Sequence, residues 1–347
     1  MFNAETGRVL HVLNPDQEVY PASLTKMMTL YLAFRVVQAG WAQLDDRVMI
    51  SETAAQAPPT KLGLRAGDQP TVDDLIRGCV TRSANDAARA LGEEIDRRFG
   101  PALVALLRAD LAAAEADETA DSFFDPPSQA EAADWAQSVA AMRQLADSII
   151  SDGSETDFAR IMTLQARLLG MDNTTFRNAS GLPDPEQITT APDLALLAYA
   201  IVKLPPGFYQ YFSLQHFLYG GASHRNHNLR FLTTYNGADG IKTGYTQDSG
   251  FNVADSARRG DTRLIAIVMG GRSVADREAN VQVLLNAGFE QDPILAFSDT
   301  PASEGLAAGS MLDLPRLRHA PVITAAAISP SAQAGGRGMT AMRQQGE

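Results

Sequence analysis

Disulfide chemistry is closed to this chain: it has one cysteine, Cys79, and a single thiol cannot form an intramolecular bridge. Cys79 lies in the apolar stretch Leu75 to Val80 and is expected to be a buried structural thiol. Long apolar runs are also missing. The most apolar stretch, Leu24 to Val37, is interrupted by Lys26 and Arg35 and falls short of the ~18 to 20 residues of a membrane span. The N-terminus has no basic start, no apolar h-region and no small-residue cleavage site, so the sequence predicts no signal peptide. Positive charge is scarce: 29 Lys and Arg face 41 Asp and Glu, a formal net charge of −12. That balance speaks against nucleic acid as a partner, because neutralising phosphates needs clustered Lys and Arg. The deficit is local, however. Between Arg108 and Asp157 there are twelve acidic residues and two arginines, so the net charge says little about a site elsewhere. Aromatic residues stop at Phe297, and the Ala-, Ser-, Gly- and Pro-rich residues of about 291–347 are expected to be a disordered low-complexity tail.

What remains is globular: 347 residues, 45% hydrophobic and 20% charged, enough for one large domain or two medium ones. Residues 2–20 read as a hairpin, with a short first arm, a turn at Thr6-Gly7 and a second arm over Arg8 to Leu13. Residues 22–39 read as a mostly buried helix between Pro21 and Gly40, with Leu24, Met27, Met28, Tyr31, Leu32 and Val36 on its buried face. Residues 71–99 look helical with an interruption near Thr81 to Asn85. Further helices are expected at Pro101 to Glu115, Ala130 to Ile150, Asp157 to Leu169 and Thr190 to Val202, with a break at Pro126-Pro127. From Gly240 the signal turns to strands, Ser249 to Ala257 and Thr262 to Gly270, and a helix over Arg277 to Asn286 follows. The pattern predicts an α+β fold: an antiparallel sheet flanked by helices, with an inserted helical lobe over about 60–200.

Three short patterns occur in order. Ser23-Leu24-Thr25-Lys26 opens a helix, Ser83-Ala84-Asn85 sits in a helical break, and Lys242-Thr243-Gly244 enters the strand region. Ser23 and Lys26, three apart, share a helical face. A serine hydroxyl is a poor nucleophile until a base takes its proton. Lys26 can serve only if neutral, so burial and a second cation, Lys242, are expected to lower its pKa from about 10.4. A helix start also leaves the Ser23 amide free to face a developing oxyanion. If residues 83–85 are extended, Ser83 and Asn85 point the same way and line one wall of a cleft. Gly244 on a strand edge would let a substrate backbone approach, with Lys242 and Thr243 binding a carboxylate. Singly each pattern is weak, since a serine at a helix start is commonly a cap. Together and in this order they form the triplet associated with penicillin-binding proteins and class A β-lactamases.

The sequence resembles the low-molecular-mass penicillin-binding proteins, the D-alanyl-D-alanine carboxypeptidase family. The likeness extends to Glu5-Thr6-Gly7-Arg8-Val9-Leu10, Tyr20-Pro21-Ala22-Ser23-Leu24-Thr25-Lys26-Met27-Met28, Asn178-Ala179-Ser180-Gly181-Leu182-Pro183, Asp239-Gly240-Ile241-Lys242-Thr243-Gly244-Tyr245-Thr246 and Val268-Met269-Gly270-Gly271-Arg272, and covers roughly 2–100 and 155–290. It implies a serine peptidase catalytic domain over 1–290 that removes the terminal D-alanine of peptidoglycan stem peptides through an acyl-enzyme on Ser23. Lys26 would be the base and Ser83 a proton relay, with no metal or organic cofactor. Asn85, Lys242, Thr243, Gly244, Tyr245 and Arg277 would bind substrate, the Tyr245 N–H completing an oxyanion hole and Arg277 serving the carboxylate end. It further implies β-lactams as covalent inhibitors and a periplasmic or cell-envelope location. Relative to that family, residues of about 101–153 look inserted, and this acidic insertion would offer a surface for a protein partner. His227 stands where some relatives carry arginine, and His224 with His227 lacks nearby acidic or Cys residues to complete a metal site.

Rival readings share the nucleophile or dispense with it. A class A β-lactamase would place Glu four residues before Asn after the second motif, and no Glu between Ser83 and Lys242 does so. A DD-endopeptidase could use the same residues, and an inactive peptidoglycan-binding scaffold would take no penicillin label.

Overall fold

The fold, a computed structural model that describes residues 1–120 and 129–290, has the α+β pattern expected. Phe2–Asn3 form a two-residue strand, β1, antiparallel to Leu264 and Ile265. The hairpin expected over 2–20 is not completed. Its second arm makes one isolated bridge, Phe2 to Val9, and the Leu10 and His11 N–H groups then both donate to the Met1 carbonyl. Two donors on one carbonyl end the ladder, because pairing needs a fresh partner at each step. A 3-10 turn at Ala22–Thr25 leads into α1, Lys26–Gln38, so the α-helix begins three residues after Ser23 rather than at it. From Lys26 to Val36 α1 is buried on every side.

After α2 (Glu52–Ala55), a capping box between Thr71 and Asp74 opens α3, Val72–Thr81. The interruption falls where the sequence places it, with Ser83 at φ +56°, and α4 starts at Asn85. Here one expectation is corrected: α4 runs unbroken from Asn85 to Ala120, through Pro101. A proline inside a helix costs about 3 kcal/mol in lost bonding and ring clash. Leu103, Val104, Leu107 and Leu111 continue the buried face beyond it, and burying such side chains at ~1.5–3 kcal/mol each outweighs that cost. They pack in a helical layer with α5 (Gln129–Asp147) and α6 (Glu155–Leu168). Cys79 is fully buried, as expected.

The chain continues through α7 (Ala191–Val202), α8 (Pro206–Tyr209), a hairpin of β2 (His216–Tyr219) and β3 (Ala222–Arg225), and α9 (Leu229–Thr234). The hairpin turns on Gly220 and Gly221, both at positive φ, which a two-residue turn of this hand requires. Then β4 (Ala238–Thr246), β5 (Gly250–Arg259) and β6 (Thr262–Gly271) join β1 in an antiparallel sheet of order β1-β6-β5-β4. On one face α10 (Val274–Glu290) packs Val281 and Leu285 against Val253, Ala257, Leu264 and Ala266. On the other lies the larger core built around α1 and α7. Among the described residues no helix is long and apolar enough to cross a membrane. The Pro126-Pro127 break and the low-complexity tail lie outside the described residues.

Candidate active site

The site lies where the 3-10 turn, the α3–α4 junction and the edge strand β4 meet. Lys26 is fully buried, and its Nζ donates to three acceptors: Ser23 Oγ at 3.2 Å, Asn85 Oδ1 at 2.7 Å and the Ser180 carbonyl at 2.6 Å. Lys242, 2% exposed, donates to Ser83 Oγ at 2.9 Å and to the Thr243 carbonyl at 2.8 Å. The two lysine-to-serine bridges lie close enough for the lysine charges to repel each other. Thr243 is buried on β4, whereas Tyr245 is 55% exposed and packs its ring on Phe251 of β5 at 4.3 Å.

Ser83 and Asn85 share this wall, but not as alternate residues of an extended segment. Ser83 sits in the left-handed region and Asn85 is the first residue of α4, so a turn aims both side chains inward. Asn85 N–H donates to the Thr60 carbonyl at 2.7 Å, and its Nδ2 donates to the Pro58 carbonyl at 3.0 Å. That orientation leaves Oδ1 for Lys26. Beside it, the buried Asp86 carboxylate accepts from the Leu62, Gly63 and Leu64 N–H groups at 2.9–3.0 Å and fixes the loop that carries Pro58 and Thr60.

At Gly244 a Cβ would stand 3.1 Å from Ser23 N and from the Pro21 carbonyl, so the nucleophile turn itself comes close to this glycine. The sequence reading missed a second clamp under the same turn. Asn178 Oδ1 accepts from the Ser180, Gly181 and Leu182 N–H groups at 3.2, 2.7 and 3.1 Å, which curls the chain so that the Ser180 carbonyl meets Lys26. Gly181, at φ +82°, lies so close to the Ala22 carbonyl oxygen that a Cβ would overlap it. The signal was present in the Asn-Ala-Ser-Gly run, which is turn chemistry, but nothing local says which group the turn presents.

Burial lowers the Lys26 ammonium to about 8, against the opposing pull of the Asp86 and Glu155 carboxylates. Lys242 is itself driven well below the ordinary lysine value, by burial first and then by repulsion from Lys26. Both ammonium groups are disfavoured, and desolvation is the main cause for each. His227, exposed at the rim, is lowered to about 4 by desolvation and by Lys242, Arg82, Lys26 and Arg277. Its N–H donates to the Thr81 carbonyl at 3.2 Å, tying the loop before α9 to the Ser83 wall. His224 lies on the β2–β3 hairpin beside the Phe217 ring, 6.4 Å between centroids. Arg277 is 4% exposed in the first turn of α10, with Glu278 at 3.7 Å.

Ser23, the Lys26 amine bonded to it, and the Lys242 bridge to Ser83 at the edge strand β4 form one mostly buried polar cluster. The model of the D-alanyl-D-alanine carboxypeptidase family, peptidase family S11, matches residues 1–97 and 137–273. The chain belongs to that family. It is 31% identical over 295 residues to the D-alanyl-D-alanine carboxypeptidase DacA of Escherichia coli strain K12, covering 83% of this chain and 59% of that one. The chain spans about three fifths of the length of the curated relatives it matches. Among solved structures it resembles penicillin-binding protein 5 of Haemophilus influenzae, with a TM-score of 0.65 and 29% identity over 83% of this chain and 69% of that one. It also resembles penicillin-binding protein D2 of Listeria monocytogenes in its ampicillin-bound form, with a TM-score of 0.61 and 25% identity over 83% and 95%.

Proposed function

We propose that this chain is a serine-type D-Ala-D-Ala carboxypeptidase acting on peptidoglycan stem peptides. The observation that carries the reading is the buried Lys26 amine, bonded to Ser23 Oγ, Asn85 Oδ1 and the Ser180 carbonyl. An ammonium donates to all three. A neutral amine keeps the two shorter bonds and turns its lone pair to the Ser23 hydroxyl. Ser23 Oγ then attacks the carbonyl between the two D-alanines as its proton passes to Lys26. The Ser23 and Tyr245 N–H groups hold the oxyanion, where one donor is worth about 10²- to 10³-fold in rate. The C–N bond breaks as Ser83 relays to the leaving amine the proton that Lys26 took from Ser23, which returns Lys26 and Ser83 to their starting states, and water later hydrolyses the Ser23 ester. Asn85 holds the substrate amide, while Lys242, Thr243 and Arg277 face the terminal carboxylate.

The same nucleophile would open a β-lactam ring and stay acylated, in keeping with the ampicillin-bound relative. The catalytic unit is assigned to 1–290 and placed at the cell envelope or in the periplasm. The acidic segment of α4 and α5, part of which the family model skips, is assigned to a protein partner. Glu155, whose field reaches Lys26, is already held by Arg89 and by the Ala179 N–H, which argues against a Glu-activated water of the β-lactamase kind.

Mass spectrometry of a muropeptide pentapeptide after incubation tests the reading. Loss of one D-alanine, absent with Ser23→Ala, is expected. Cleavage only of cross-linked dimers would make the chain an endopeptidase, and rapid penicillin hydrolysis a β-lactamase. A folded wild type that takes no fluorescent penicillin would be an inactive scaffold.

A further inference from the structure

Behind the site the sheet holds a buried acid that the reaction does not use. Asp255 lies mid-strand in β5, between Ile241 of β4 and Ala266 of β6, and is 1% exposed. Alternate residues of a strand share a face. Val253 and Ala257, on either side of Asp255, pack in the small core with Val281 and Leu285 of α10. Asp255 therefore looks into the layer between sheet and helix, where a carboxylate needs partners to stay ionised.

Its surroundings are specific. Asp255 Oδ1 accepts from Asn228 Nδ2 at 2.6 Å. From α10 it is faced by Arg277, which favours its ionised form, and by Glu278, which opposes it. Arg277 Nε is buried without a hydrogen-bond partner among the described residues, and Glu278 is shared with Arg230 at 3.3 Å. Burial dominates and raises the Asp255 carboxyl to about 8, with Asn228 and Arg277 pulling the other way. Asn228 belongs to the rim. Its N–H donates to Asn226 Oδ1 at 2.7 Å, and Asn226 Nδ2 donates to the Leu214 carbonyl at 2.6 Å. Between the two asparagines stands His227, tied to Thr81.

We propose that Asp255 is a positioning residue for the carboxylate end of the site: it anchors the Asn226–Asn228 rim through Asn228, and its charge sets how much of the Arg277 field is left for a ligand's terminal carboxylate. The proposal rests on the part given to Arg277 above. While Asp255 is protonated, only Glu278 and its share of Arg230 offset Arg277. Once Asp255 ionises it draws on the same guanidinium, and the ligand is held less firmly. Because the carboxyl ionises as pH rises through about 8, the preference for free-carboxylate ligands falls across that range.

The test compares an acylated tripeptide ending in D-Ala-D-Ala with its C-terminal amide. The ratio of their acylation rate constants is followed from pH 6.5 to 9.5. Ionisation of Lys26 acts on both ligands and cancels, and that of Lys242, which faces the carboxylate, is common to wild type and Asp255→Asn and is removed by comparing the two. In the wild type the ratio is expected to fall roughly three- to tenfold further than in Asp255→Asn, the size of one charge acting at a few ångströms through water-like screening. Asp255→Asn keeps an oxygen for Asn228 but cannot ionise, so it lacks that further fall. A level wild-type ratio, or a fall of equal size in Asp255→Asn, overturns the proposal. Should that variant not fold, as judged by thermal melting, infrared titration of the wild type's buried carboxyl band still decides. A carboxyl already ionised at pH 6.5 overturns the proposal. Arg277→Gln separates the two readings. If it keeps the preference, the part given to Arg277 fails and the proposal with it. If it removes the preference while Asp255→Asn tracks the wild type, Asp255 alone is wrong.

Discussion

Acylation by penicillin should report the protonation of Lys26. Its Nζ is fully buried, and desolvation brings the ammonium from an ordinary lysine value to about 8. At ~1.4 kcal/mol per pKa unit, placing the charge there costs on the order of 3 kcal/mol relative to water. The sign follows. A lowered pKa favours the neutral amine, which is the base, so the active fraction grows with pH. At pH 7 roughly a tenth of the molecules carry a neutral Lys26. The second-order rate constant for a fluorescent penicillin, measured by stopped flow from pH 5.5 to 9.5, should rise about tenfold per pH unit and level off above ~8. Lys26→Arg sharpens the test. Arginine keeps its proton throughout this range, so acylation should fall about 10²- to 10⁴-fold, the usual worth of a positioned base. A level profile between pH 6.5 and 8, or a Lys26→Arg enzyme within threefold of wild type, would refute the assignment of Lys26 as base.

Gly181→Ala should damage the site without touching a reacting atom. The new Cβ overlaps the Ala22 carbonyl oxygen and the position has φ +82°, so both strain and displacement of the Ser23 turn are expected, read as a loss of at least about tenfold in labelling and a lowered Tm. Asp86→Ala strips three loop N–H groups of their acceptor, and denaturant unfolding should show a loss of about 2–4 kcal/mol. If stability were unchanged, water would be shown to serve that loop as well as the carboxylate does.

Much of the site could be read from the chain because its parts are local motifs. Ser23 and Lys26 are one helical turn apart, and the Ser83 break announced itself between two helical runs. The two long strands were legible as the segments Ser249 to Ala257 and Thr262 to Gly270. Pro101 misled because propensity is local and the burial that overrides it is not. The β2–β3 hairpin was missed because four-residue arms alternate too briefly to register.

The sequence by itself determined the order of the three motifs, the α+β class and the buried nature of the helix that bears Lys26. Only the tertiary structure decided what those residues are chemically. The Ser180 carbonyl that holds Lys26 is 154 residues away, and the Lys242 bridge to Ser83 spans 159. Gly244 and Gly181 matter through the backbone they approach, and that backbone belongs to a distant turn. Asp255 reads as one more acid in an acidic chain until α10 closes over it. A pKa and a close approach both depend on distances between remote segments and on the water excluded between them. Periodicity along the chain carries neither.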